Sequence, residues 1–150
     1  MQKIKWFTFV FVLIGFISIT SIYSMNVDRV EPLQKHTAPM AVMDTLFESA
    51  KIGKFSQLGG LCDPMQENDG DTDCICAIDP LYEPHKCSER QKKEINAKTF
   101  VEYFQTAKTK GSPEVDADHA KIEFLFGPEA KVEETMNLVR RDGFWYLSSF

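Results

Sequence analysis

The sequence predicts an α+β fold in which N-terminal helices pack on an antiparallel sheet that ends in a three-strand C-terminal meander. Two observations carry this. The last third holds three strand-like runs, Ala120 to Phe126, Val132 to Arg140 and Phe144 to Phe150, each bounded by turn residues. Upstream, apolar residues instead recur at helical spacing, in Val42, Met43, Leu46, Phe47 and Ala50 and again in Phe100, Val101, Phe104 and Ala107.

Two loops set the register of the meander. Asp142-Gly143 is a two-residue hairpin signal, because a type I′ turn needs positive φ at both central positions. It places Arg141 opposite Phe144, Arg140 opposite Trp145 and Leu138 opposite Leu147. The five residues Gly127 to Lys131 place Phe126 opposite Val132, Phe124 opposite Glu134 and Ile122 opposite Met136. Side chains directly opposite share a face, and alternate residues switch faces. One face then collects Ile122, Phe124, Phe126, Val132, Met136, Leu138, Trp145 and Leu147. The other is mostly polar, with Leu125, Val139, Phe144 and Tyr146 among charged neighbours. The two loops are independent, yet both produce the same apolar face.

From the N-terminus, Lys3 and Lys5 precede an apolar run from Trp6 to Ile19, followed by Thr20, Ser21 and Ser24. This is the order of a secretory signal peptide over residues 1–24, with Ile22 and Ser24 at the third and first positions before the cut. An uncleaved membrane anchor is the alternative, since Trp6 to Tyr23 approaches the roughly 20 residues of a span. Residues 25–37 read as a flexible tether with no periodicity, and residues 38–150 as a single domain. Pro39 suits the first turn of a helix, which Gly53 ends. A short helix from Phe55 to Leu61 leads to Cys62.

From Asp63 to Lys86 prolines interrupt the pattern, and Glu67-Asn-Asp-Gly-Asp-Thr-Asp73 reads as an acidic, solvated turn. It lacks calcium-loop spacing: with Gly70 at the required glycine, Met65 falls at the first ligand position and Cys76 where glutamate is needed. Cys74 to Ile78 reads as a short edge strand. Asn96 caps a helix over Ala97 to Lys108, with Ile95 stapled onto Phe100 and Gly111 as its stop. Ser88 with Gln91 is a second cap, for an earlier start. Residues 112–118 connect this helix to the meander.

The four cysteines, Cys62, Cys74, Cys76 and Cys87, lie in one short window. Behind an export signal they read as two disulfides in a loop at 62–87. A direct Cys74–Cys76 bridge would be strained. Extended, those two would point to one side and reach Cys62 and Cys87 in either order. Zinc is the competing reading, but no Cys-x-x-Cys pair is present.

The order of elements and the tail Asn137-Leu-Val-Arg-Arg-Asp-Gly-Phe-Trp-Tyr-Leu-Ser-Ser149, with the leading segment Ala41 to Cys62, resemble the nuclear transport factor 2-like superfamily, in particular its small secreted bacterial members. The resemblance covers residues 38–150, and the cysteine loop departs from it. It implies a cone-shaped, cystatin-like α+β roll whose curved sheet wraps a long helix and leaves a pocket at the wide end. The superfamily includes isomerases, dehydratases and cyclases as well as transport and assembly modules without chemistry. Fold does not choose among them.

Composition excludes some partners. Residues 1–24 hold two lysines and no acid, so the rest carries 15 basic against 22 acidic residues, a balance of −7. Such a chain is not built to hold nucleic acid, or an anionic membrane except through an uncleaved signal segment. Asp116, Asp118 and His119 make half a metal site or a polar strand entry, and His36 and His85 read as solvated. No catalytic motif, metal site or cofactor is expected. Glu134 is the one acid placed on the apolar face. With Phe124, Met136 and Trp145 it forms the candidate ligand-binding set, at an open corner that the third strand ends too early to cover. A bulge turning Glu134 to solvent is the alternative. The sequence thus points to an exported, non-catalytic binding module, for a small apolar ligand or a protein. A cone-pocket enzyme moving protons on a hydrophobic substrate is its rival. The outer-face apolar residues suggest a homodimer.

Overall fold

The computed structural model describes residues 34–150. The segment read as signal peptide and residues 25–33 of the expected tether lie outside them. Helix α1, Pro39–Ile52, begins on Pro39 and ends on Gly53, whose φ of 66° closes the helix. It buries Val42, Met43, Leu46, Phe47 and Ala50 and packs against helix α4, Ala97–Phe104, and strand β5, Phe144–Ser149. Between α1 and α4 come a 3₁₀ turn at Gly59–Leu61, helix α2 at Gly70–Cys76 and helix α3 at Glu89–Glu94. The short helix expected over Phe55 to Leu61 is thus reduced to turns and that 3₁₀ segment.

The fold class is as expected: helices followed by a curved, unclosed antiparallel sheet of five strands. Strand β3, His119–Phe126, pairs with β4, Val132–Arg141, and β4 with β5. The registers match the turn chemistry, with Phe124 opposite Glu134, Ile122 opposite Met136, Leu138 opposite Leu147 and Arg140 opposite Trp145. Asp142 and Gly143 take the two positive φ angles of the hairpin, 50° and 85°. The free edge of β3 is shared by two short strands, β1 at Lys108–Thr109 and β2 at Glu114–Asp116.

Three local expectations fail for identifiable reasons. Cys74 to Ile78 is not an edge strand, because Asp69 caps a helix there: its side chain accepts from Thr72 N at 2.8 Å, and Asp71 and Asp73 sit in the first turn. The helix of Ala97 to Lys108 stops at Phe104, because Lys108 and Thr109 pair with Leu125 and Phe124 and satisfy the edge of β3. Ser88 and Gln91 form a complete capping box, but on the separate helix α3, which breaks at Ile95 before Asn96 caps α4.

His36 is buried rather than solvated, at 4% exposure, and its carbonyl accepts from Trp145 N at 2.8 Å. The chain is therefore tied to β5 before α1 begins. On the same strand's edge, Asp63 N donates to Leu147 O and Asp69 N to Ser148 O. The stretch from Cys62 to Asp69 thus covers a strand that would otherwise offer unpaired backbone.

The core lies between the sheet and the pair α1 and α4, and rings dominate it. Phe104 meets Phe100 at 5.0 Å, Phe126 at 5.5 Å, Phe124 at 6.1 Å, Phe150 at 6.2 Å and Phe47 at 6.4 Å between centroids. One side chain therefore joins both helices to the sheet. Replacing a buried phenylalanine by alanine removes the transfer energy and leaves a cavity. Phe104→Ala should lose about 3–5 kcal/mol in denaturant unfolding. A loss under about 1 kcal/mol would show that the ring is not central.

Candidate functional site

The register places Glu134 where the sequence reading put it, opposite Phe124 and two residues from Met136, but Trp145 stands apart. Phe124 and Met136 are fully buried within the hydrophobic core. Trp145 lies opposite Arg140, six residues along β4 from Glu134, or about 20 Å at strand rise. It is buried at the far end, with the Arg140 guanidinium 5.9 Å from its ring centre. Glu134 itself is half-buried, and its Oε1 accepts from the neighbouring Thr135 N at 3.1 Å.

The open corner is real in the backbone, and aromatic side chains crowd it. The last pair of β4 with β5 is Asn137 with Ser149, so residues 132–136 of β4 have no partner from β5. Phe150 continues past that pair, and its ring meets Phe104 edge-on at 87°. Phe124 and Phe126 pack together at 5.4 Å beside it. Where the cone's mouth was expected, Phe104 meets the rings of Phe124, Phe126 and Phe150. What remains outside is an apolar rim: Tyr103, 39% exposed and 6.0 Å from Phe126, and Val132, 49% exposed and paired with Phe126. Phe126 and Phe150 are partly buried behind them, and Glu134 is the acid on that face. Gly127 N donates to Tyr103 O at 2.7 Å and locks the end of α4 against the β3–β4 turn.

The other candidates separate. Asp116 pairs with His119 across β2 and β3. They line a surface hollow of about 360 Å³ with Glu114, Val115, Ala120 and Lys121. No group of three or more His, Cys, Asp or Glu able to hold a metal occurs among the described residues. On the outer face Val139 is buried, and Leu125, Phe144 and Tyr146 are half-buried. The Lys35 ammonium stands 4.7 Å from the Phe144 ring. Arg141 is held by Asp63, at 2.9 Å to Oδ2, and by Glu67 at 2.6 Å. Among the described residues no helix is long and apolar enough to cross a membrane.

The cysteines form Cys62–Cys76 and Cys74–Cys87, as in an extracellular protein. Positions i and i+2 of a helix point about 200° apart, so α2 sends Cys76 inward and Cys74 to the loop that leads into α3. That loop is organised by Asp73, which the sequence reading placed in a solvated turn; instead Asn68, Thr72 and Asp73 are buried, because the turn starts helix α2. Asp73 is 1% exposed. Its Oδ2 accepts from three successive amides, His85 at 2.8 Å, Lys86 at 2.7 Å and Cys87 at 2.9 Å. Its Oδ1 accepts from Tyr82 OH at 2.7 Å and from Asn68 Nδ2 at 3.1 Å. Burial alone would raise its pKa, but the bonds from Tyr82, Lys86, Asn68 and Cys87 outweigh it and hold the carboxyl below its usual value. Burial, and then the Asp73 carboxylate, push the Tyr82 hydroxyl well above the usual phenol. The cap at Asp69, which starts α2, was the signal that could have located this cluster.

Comparison with known proteins returns no match to a family model, a curated protein or a solved structure.

A carboxylate with a lowered folded pKa adds stability above its unfolded value, and that stability is lost as pH falls through the folded value. For Asp73 the contribution is full above the ordinary 3.8 and fades below it. Asp73→Asn keeps the shape but sets an amide against backbone donors, and should cost roughly 3 kcal/mol at neutral pH. Melting curves of both proteins should converge as pH falls below 3.8. A difference independent of pH would mean that the carboxylate charge plays no part.

Proposed function

We propose that this chain is an exported, non-catalytic binding module that meets a protein partner through the apolar rim at Tyr103, Phe126, Val132 and Phe150, with Glu134 as its charged contact. The observation that carries the reading is the cluster of rings at that corner. Rings of Phe104, Phe124, Phe126 and Phe150 occupy the place where a cone-shaped roll would enclose a small ligand. Recognition is thereby moved from an interior to a surface. Exposed aromatic and branched side chains grouped around a single charge suit protein contact.

Two further features support the setting. The basic start and apolar run from Trp6 to Ile19 have the form of a signal peptide directing secretion, to a periplasm if the source is bacterial. The two disulfides suit that compartment. The resemblance of the sequence to the nuclear transport factor 2-like superfamily, whose non-catalytic members include transport and assembly modules, fits this reading, as do the helices followed by a curved sheet. The half-buried outer sheet face, with Phe144 and Tyr146, is left for self-association.

Photo-crosslinking in the native compartment tests the reading. A crosslinking residue at Val132 should give a discrete protein adduct, whereas one at exposed Glu94 should not. Recovery of a stoichiometric small apolar molecule from the purified protein, with no adduct from Val132, would reject it.

A further inference from the structure

We propose that the Cys74–Cys87 bridge is a thiol-exchange site for a dithiol oxidoreductase, and that Cys62–Cys76 is a permanent structural bridge. The two bridges leave α2 in opposite directions and meet different surroundings. Cys62 and Cys76 are 3% and 0% exposed, and Cys74 is 1% exposed. Cys87 is half-buried, at the end of the surface loop and next to exposed Ser88. Exchange needs a thiolate to approach one sulfur in line with the bond, so access decides which sulfur is attacked. Of the four cysteines only Cys87 is not fully buried, so its sulfur is the one that an incoming thiolate can approach. Neither sulfur of the other bridge is reachable in the folded domain.

The step balances without any other reactant. A thiolate of the oxidoreductase bonds to Cys87 Sγ, and the electron pair of the bridge leaves with Cys74 Sγ, which takes up a proton. The second thiol of the oxidoreductase then attacks the mixed disulfide and releases Cys87. Two electrons and two protons pass from the dithiol to the bridge, and the oxidoreductase ends as a disulfide. The opened loop does not drift away. Asp73 still accepts from the amides of His85, Lys86 and Cys87. Cys62–Cys76 still fastens α2 to the stretch along β5. The two thiols therefore stay near one another, and the bridge can close again. This makes the segment from Tyr82 to Cys87 a clasp that redox conditions open locally, without loss of the core.

Timed reduction of the mature protein with dithiothreitol, followed by alkylation and peptide mapping, decides it. A form labelled only at Cys74 and Cys87 should accumulate, at least about tenfold faster than the second bridge opens. It should keep its near-ultraviolet circular dichroism. Label appearing first at Cys62 and Cys76, on all four together, or only on global unfolding overturns the proposal. A thioredoxin-class oxidoreductase lacking its resolving cysteine should be trapped on Cys87. An adduct on another cysteine, or none, also overturns it. The paired variant Cys74→Ser with Cys87→Ser should abolish the fast phase; if it does not fold, the map of the unaltered protein still decides.

Discussion

The packing of Phe104 against five other phenylalanines is the contact on which the rest of this structure depends. It sits in the last turn of α4 and reaches Phe47 on α1, Phe124 and Phe126 on β3, and Phe150 beyond β5. Helix α4 is only eight residues long, too short to be stable alone. Its position is set by this ring and by the bond from Gly127 N to Tyr103 O. The same contact fixes the shape of the sheet's open end. Because Phe104 meets both Phe150 and Phe126, rings crowd this corner, and apolar character faces outward at Tyr103 and Val132.

A second, polar centre organises the other half of the chain. The stretch from Cys62 to Cys87 has few large apolar side chains and many turn residues, so apolar burial cannot hold it in place. Two bridges and the Asp73 carboxylate do so instead. An ionised group out of contact with water is costly unless its bonds are all made. Here five donors meet its two oxygens. Asp63 plays a smaller version of the same part, tying the covering stretch beside β5 to Arg141.

How much of this could be read from the sequence follows from what each feature depends on. The β3–β4–β5 registers were legible because short loops with definite turn chemistry set them and the alternation of Ile122, Phe124, Met136 and Leu138 checks them. Helix α2 was hidden because Asn68, Asp69 and Gly70 are turn formers, and only the cap geometry at Asp69 distinguishes a helix start from a loop. The same strand reading left the disulfide pairing open in either order, since in a strand Cys74 and Cys76 share a side and in a helix they do not. The open corner at Glu134 was half legible. That β5 stops short was visible in strand lengths, but which of the chain's 12 phenylalanines would fill the gap is a tertiary matter. The burial of His36 was equally out of reach, because nothing in that unpatterned lead signals the backbone bond that joins it to Trp145.

The account turns on whether the ring cluster leaves room for a guest. Crystals of the unmodified protein under xenon pressure test this most directly, because xenon enters dry apolar cavities large enough to hold it. The account predicts no xenon site among Phe104, Phe124, Phe126 and Phe150. An ordered xenon atom between those rings would contradict it and return the corner to the role of an enclosed ligand pocket.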